Sequence, residues 1–303
     1  MHALTPLAWI ALVSIYLIWG STYLAIKVGI ETMPPLVMAG TRFIVAGLAM
    51  LVAGWHRLER RPTWEEVRNA TIVGTGLCLG GNGLVTIAEE RISSGLAALI
   101  VATVPLWLTG LDRLLFGVRL ARLTVVGLVI GFAGTGLLVR PGGSADTVGA
   151  LLVVAAAGLW AGASLFARRS EAVPAPVVNV GLQMFMGGIA TLVGATLLSE
   201  WGRLEIDEIS VASWAAWIYL IVAGSIAGFS AYVWLLRNVE THIAGTYAYV
   251  NPVIAVVLGA VILDERLDTA TLVAGGLVVV SVAAIIAGGT KRRGAIEPPP
   301  EPS

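Results

Sequence analysis

Long apolar runs separated by short charged or proline-marked breaks set the rhythm of this chain. A bilayer core about 30 Å thick asks roughly 20 apolar residues of each helix that crosses it. Cutting the sequence at its charged clusters and prolines leaves ten such runs, near 8–28, 34–55, 69–88, 93–113, 122–139, 147–167, 176–199, 211–235, 243–263 and 269–289. The pattern predicts an all-α integral membrane protein with ten transmembrane helices. The first run has no Lys or Arg ahead of it and no A-x-A-like end, so it reads as a span and not as a secretory leader. Two of the later runs carry a helix breaker near their middle: Pro105 in "ISSGLAALIVATVPLWLTGL" and Pro252 in "IAGTYAYVNPVIAVVLGAVIL". Proline removes a backbone donor and frees a carbonyl, and in lipid a free carbonyl must face protein or water. Kinks at both prolines are therefore expected beside an interior pathway.

Composition agrees with this pattern. Of 303 residues, 57% are hydrophobic and 13% charged, and the mean hydropathy is +0.87, against roughly 25% charged residues in a soluble domain. The net charge of zero gives no reason to expect a nucleic-acid partner. One cysteine, Cys78, rules out an internal disulfide and a cysteine metal cluster, and the three histidines, His2, His56 and His242, form no metal motif. No Gly-rich loop is followed by Lys-Ser or Lys-Thr, which argues against nucleotide-driven chemistry by this chain alone. No cofactor is expected. Loops this short and dispersed do not gather catalytic groups at one face, so an enzyme is the least favoured class.

Positive charge sets orientation. With the N-terminus in the cytoplasm, the inner connections hold Arg57, Arg60, Arg61, Arg68, Arg113, Arg119, Arg122, Arg168, Arg169, Arg237, Lys291, Arg292 and Arg293. The outer ones hold only Lys27, Arg91, Arg140, Arg203 and Arg266. Both termini are expected inside, with residues 291–303 a charged stop followed by a disordered tail.

The chain repeats itself. A shift of 147 positions lays Pro105 on Pro252, Arg119-Leu120 on Arg266-Leu267, Thr124 on Thr271, Ala97 on Ala244 and Leu111 on Leu258. A shift near 141 lays Trp19 on Trp160, Leu24 on Leu165 and Lys27 on Arg168. Residues 1–141 and 142–290 thus read as two five-helix repeats, and an odd number of spans inverts the second relative to the first. Inverted repeats with interrupted helices are the pattern of secondary transporters, whose sites lie near the midplane.

The stretches "WGSTYLAIKVG", "TRFIVAG", "AEERISSGLAALIVATVPL" and "RNVETHIAGTYAYVNPVIAVVLGAVILDERL" resemble the EamA family of the drug/metabolite transporter superfamily, most closely its YedA-like inner-membrane branch. The resemblance runs from residue 8 to 289. It implies a five-plus-five inverted-repeat carrier in the cytoplasmic membrane that exports amino acids, other metabolites or toxic compounds. A multidrug exporter and a lipid-head-group flippase share that architecture and stand as alternatives. The first repeat has "FGVRL" where the second has "LDERL", so the family's acidic turn is absent from one half.

Polar side chains inside a span are functional candidates by default. Asn82, in the glycine-rich "LGGNGL", and Asn251, before Pro252, are the deepest amides. Trp19, Trp160, Tyr23, Trp107, Tyr247 and Tyr249 lie far enough inside to line a substrate path, with Trp19 and Trp160 favoured by the repeat. Gln183 has no counterpart in the first half and reads as packing. Arg42 would hold a substrate carboxylate or pair with Glu89 or Glu90 at the end of the third run. No acidic residue lies near the centre of a run. That leaves facilitated diffusion, or a shallow proton site at Glu89 or Glu90. Trp9, Trp55, Trp64, Trp201, Trp214 and Trp217 sit at run ends, as an interfacial belt would. Gly127 and Gly131, Gly158 and Gly162, and Gly224 and Gly228 have the spacing of close helix contacts. The partners expected are a small-molecule substrate and membrane lipids, with the chain a monomer or homodimer.

Overall fold

The structure, a computed structural model, describes residues 5–117, 120–139, 146–239 and 246–293. Helices account for nearly all of them, and no strand occurs among the described residues. In chain order they are α1 (Pro6–Gly29), α2 (Pro35–Gly54), α3 (Trp64–Ala88), α4 (Ser94–Phe116), α5 (Arg122–Leu138), α6 (Thr147–Ala167), α7 (Pro176–Leu197), α8 (Val211–Tyr219 continuing through Gly228–Asn238), α9 (Tyr247–Ile262) and α10 (Thr269–Arg293). Seven of these are long and apolar enough to cross a membrane, and shorter apolar helices lie within α5, α9 and α10. The charged stop Lys291–Arg293 continues α10 as helix, so the tail expected to begin at 291 is helical for three residues. Residues 294–303 lie outside the described ones.

Helix starts are written locally. Thr5, Ser93, Asp146 and Ser210 accept backbone N–H groups at the starts of α1, α4, α6 and α8, and Thr63 with Glu66 forms a capping box on α3. The Gly149 N–H holds the Asp146 carboxyl below the usual carboxylate range. Two starts borrow their caps from distant loops. Glu200 accepts Leu36 N–H at 2.7 Å and Val37 N–H at 3.2 Å of α2. Glu265 accepts Ser94 N–H at 2.7 Å and Gly95 N–H at 3.1 Å of α4. Both acids lie on the face of the molecule where α1 ends. The acidic turn of "LDERL" therefore has a structural task, the capping of α4; its counterpart in the first repeat, Val118, lies outside the described residues.

The two prolines do different things. Pro105 opens the second piece of α4, Val104–Phe116, after a break at Ala102 and Thr103, a place where a missing N–H costs nothing. Pro252 sits inside an unbroken α9. The helix is thus interrupted at Pro105 and runs on through Pro252, where the missing N–H falls inside the helix. The other departures from α geometry were not foreseen: Thr75–Gly83 of α3 and Leu220–Ala227 of α8 are π-helical. Such turns are rare and recur frequently at functional sites.

Packing follows a reciprocal plan. α2 lies against α7, and α5 against α10; α1 packs on α8 and α9, while α6 packs on α3 and α4. The α2–α7 contact is backbone to backbone. A β-carbon at Gly47 would stand 2.5 Å from Phe185 N, and one at Gly181 3.0 Å from Leu51 N. Of the glycine pairs singled out by spacing, Gly127 and Gly131 meet α10 and Gly224 and Gly228 meet α1, but nothing lies within 4 Å of a β-carbon at Gly162. The belt reading suits Trp9, Trp55, Trp64, Trp201 and Trp214, which are exposed, whereas Trp217 is partly buried and donates to Thr41 Oγ1 at 3.1 Å.

Gly47→Ala or Gly181→Ala should therefore lower the unfolding free energy of the purified protein in detergent by about 1–3 kcal/mol, the usual range for overpacking. Gly162→Ala, with open space around it, should leave the thermal midpoint unchanged.

Candidate functional site

A small cavity lies at the meeting of α2, α3, α6, α7 and α8. Its volume is about 20 Å³, and Phe43, Cys78, Asn82, Trp160, Gln183 and Phe229 are on its wall. That space admits a single water, so anything larger enters only if the helices part. The wall combines two amides with aromatic rings. Gln183, read from sequence as packing, belongs to it. Phe43 and Phe229 carried no polar signal and were missed; Phe229 is the residue that the 147-position shift lays on Asn82, so the repeat held the clue.

Around the cavity two tryptophans make the same contact in different parts of the chain. Trp160 of α6 lies over Gly81 of α3, where a β-carbon would come within 2.5 Å of its ring. Trp19 of α1 lies over Gly228 of α8, where a β-carbon would come within 2.4 Å of Nε1. Each glycine is at or beside a π-helical stretch. Trp19 also donates to Gly224 O at 3.1 Å, a carbonyl inside that stretch. Its ring is surrounded by Tyr247, Tyr232 and Phe229, with centroids at 5.0, 5.3 and 5.4 Å. Trp19 thus reaches the cavity wall through Phe229, and Tyr247 only through Trp19.

Other candidates lie apart. Tyr23 packs on the apolar cluster of α3, α4 and α6. Trp107 stands edge-to-face on Phe132 at 5.2 Å with its Nε1 buried and unpartnered. Asn251 is near α1, its backbone oxygen 3.3 Å from where a β-carbon of Gly20 would be, and its buried Oδ1 has no donor. The side chain of Tyr249 lies outside the described residues.

The charged candidates also separate. Arg42 pairs with neither glutamate: its Nε donates to Ser225 Oγ at 3.1 Å and its guanidinium stacks 4.7 Å from the Phe43 ring centroid. Glu90 pairs with Arg203 at 2.6 Å. Glu89 is fully buried, and neither carboxyl oxygen has a hydrogen-bond partner. The neighbouring Lys27 ammonium is turned to the backbone oxygens of Glu89 and Ile92. A buried carboxylate without donors is costly, which favours the neutral acid in this arrangement. Pairing of Arg42 with these acids failed because they sit at the α3 end, whereas Arg42 is two turns inside α2 and faces α8.

Long apolar helices around a small, mostly apolar cavity that holds two amides define a polytopic membrane protein. The chain belongs to the EamA-like transporter family, whose pattern matches residues 6–140 and again 147–287; it is a multi-pass membrane transporter. It is 37% identical over 281 residues to the uncharacterized inner membrane transporter YedA of Escherichia coli K12, covering 92% of this chain and 90% of YedA. It is 24% identical over 282 residues to a probable amino-acid metabolite efflux pump of Salmonella typhimurium LT2, covering 88% of this chain and 90% of the pump. A crystal structure at 21% identity shares the fold, with a TM-score of 0.62 over 95% of this chain and 98% of the other.

The two deep amides should part company in experiment. Asn82→Ala, which strips the cavity wall of one hydrogen-bonding group, should weaken transport by about 2- to 10-fold at unchanged membrane abundance. Asn251→Leu removes an oxygen that has no donor and should leave thermal stability equal or higher.

Proposed function

We propose that this chain is a ten-span carrier of the inner membrane, made of two inverted five-helix halves, 1–141 and 142–290, that exports small organic solutes by alternating access. Amino acids and related metabolites are the leading substrate class. The observation that carries this reading is the reciprocal seating of Trp19 on Gly228 and Trp160 on Gly81. One shift of the sequence relates the tryptophans and the other relates the glycines, so each half uses its first helix to close on the third helix of the other. The packing plan supports it, since α1 on α8 and α9 corresponds to α6 on α3 and α4 under the same exchange. The double family match and the Salmonella relative point the same way. Rocking of one half against the other would part the tryptophans from their glycines in turn and open the chamber to one side at a time.

A second reading, movement of lipid head groups, is favoured by one feature. A laterally open groove of about 450 Å³ runs between α1, α8 and α9. Its wall is apolar except for Ser21 and Tyr219, whose hydroxyls bond each other at 2.6 Å, so it offers a head group no charge. The soluble-solute reading therefore leads.

The decisive experiment is an efflux and tolerance screen of an overexpressing strain against amino acids, their analogues and toxic organic compounds, followed by counterflow of each hit in proteoliposomes. Export of at least one soluble solute, with counterflow that persists without a pH gradient, is expected, because no acid lies near the middle of the described spans. Counterflow that depends wholly on a pH gradient and vanishes in Glu89→Gln would instead make Glu89 the coupling residue.

Orientation has its own test. In a Cys78→Ala background, Gly202→Cys should react with an impermeant thiol reagent in intact cells and Arg61→Cys should not, both positions being exposed. The reverse pattern rejects cytoplasmic termini.

A further inference from the structure

Arg42 is a cation buried within the membrane-spanning region with no counter-charge among the described residues. It stands seven residues into α2, about 10 Å from the helix start at 1.5 Å per residue, and is 4% exposed. Among the described residues no carboxylate is within ion-pair distance of it. A guanidinium presents five N–H donors. Here one is used, on Ser225 Oγ, and the ring of Phe43 offers its face to the charge. The remaining four N–H groups have no acceptor among the described residues. A charge held at this depth is costly unless something pairs with it.

Its position ties it to the chamber. Phe43, on which the guanidinium rests, is part of the cavity wall. Ser225, its one hydrogen-bond partner, lies in the π-helical stretch of α8, and a β-carbon at Gly224 would be 3.6 Å from Nη2. Arg42 thus bridges α2 to the π-helical segment of α8 immediately behind the wall.

We propose that Arg42, which stands behind Phe43 in this closed arrangement and meets the solute once the helices part, is the anchor for a carboxylate on the transported solute, and that the opened chamber selects carboxylate-bearing solutes over their amide and amine counterparts. This rests on the carrier reading above and gives its substrate a chemical class. The planar fork of the guanidinium matches a carboxylate with two parallel hydrogen bonds. Charge balance narrows the class further: one guanidinium neutralises one carboxylate, so a simple monocarboxylate leaves the site neutral, a zwitterionic amino acid leaves only the charge of its own ammonium, and a phosphate dianion leaves the site negative. Asn82 and Gln183 then serve a second polar group of the solute, and Trp160 and Phe229 its apolar part. A cationic drug would meet Arg42 with like charge.

The test uses the full chain, purified, with thermal stabilisation as readout and matched probes: L-phenylalanine and L-threonine, the corresponding amides, phenethylamine, and phenylpyruvate. At least one acid should bind, and its amide and amine should bind about 10- to 100-fold more weakly, the loss expected for a charge-assisted pair. Arg42→Gln should abolish that preference; Arg42→Lys, which keeps the charge and removes the fork, should retain part of it. Should Arg42→Gln fail to fold, the wild-type comparison of acid with amide decides alone. Equal binding of acid and amide, stabilisation by none of the acids, or an undiminished preference in Arg42→Gln overturns the proposal. If the efflux screen yields only solutes without a carboxylate, the carboxylate anchor falls while the carrier stands. If it yields no solute at all, the carrier reading falls as well.

Discussion

Everything in this architecture answers to one constraint: inside an apolar medium a backbone N–H or C=O without a partner costs several kcal/mol, and no water is there to relieve it. Continuous helices satisfy the rule by themselves. Departures survive only where protein supplies the partner. The carbonyl of Gly224, in the π-helical stretch of α8, receives Trp19 Nε1, and the starts of α2 and α4 receive the carboxylates of Glu200 and Glu265. These repairs are also the joints of the molecule, because each partner comes from a distant part of the chain.

Irregularity and polarity are consequently concentrated in the same layer. Asn82 lies in one π-helical stretch and Ser225 in the other, and both belong to the chamber or to the cation behind it. A π turn widens the helix and loosens its ladder, which lowers the cost of local rearrangement there relative to a regular α-helix. The two most extensive helix contacts, α2 on α7 and α5 on α10, lie between helices without π-helical stretches.

Periodicity made the helices legible in the sequence, because long apolar runs leave little choice of structure in lipid. Depth and internal symmetry together singled out Asn82 and Trp160, which line the cavity, and Trp19, which packs on its wall at Phe229. What escaped reading was long-range. The acids that cap α2 and α4 lie 164 and 171 residues from their targets, and the partner of Arg42 lies 183 residues away. No local pattern announces such pairings, and the nearest acids in sequence logic, Glu89 and Glu90, proved to be at the wrong depth. The π stretches had a faint signal in the small-residue runs "GTGLCLGGNG" and "AGSIAGF", but glycine runs serve helix contact and helix deformation alike. Pro252 is the converse case: a strong local signal for interruption that a continuous α9 absorbs.

The closeness of α2 to α7 also bears on how the protein is made. Gly47 meets Gly181, about 130 residues further along the chain, and at 5–20 residues per second a ribosome takes on the order of ten seconds to deliver it. During that interval α2 is in the bilayer with a glycine strip that only lipid covers. Small side chains cost little in lipid, so the wait is tolerable, and helix insertion can precede helix assembly. The same strip that brings the backbones together at the end thus permits a long pause before the partner arrives.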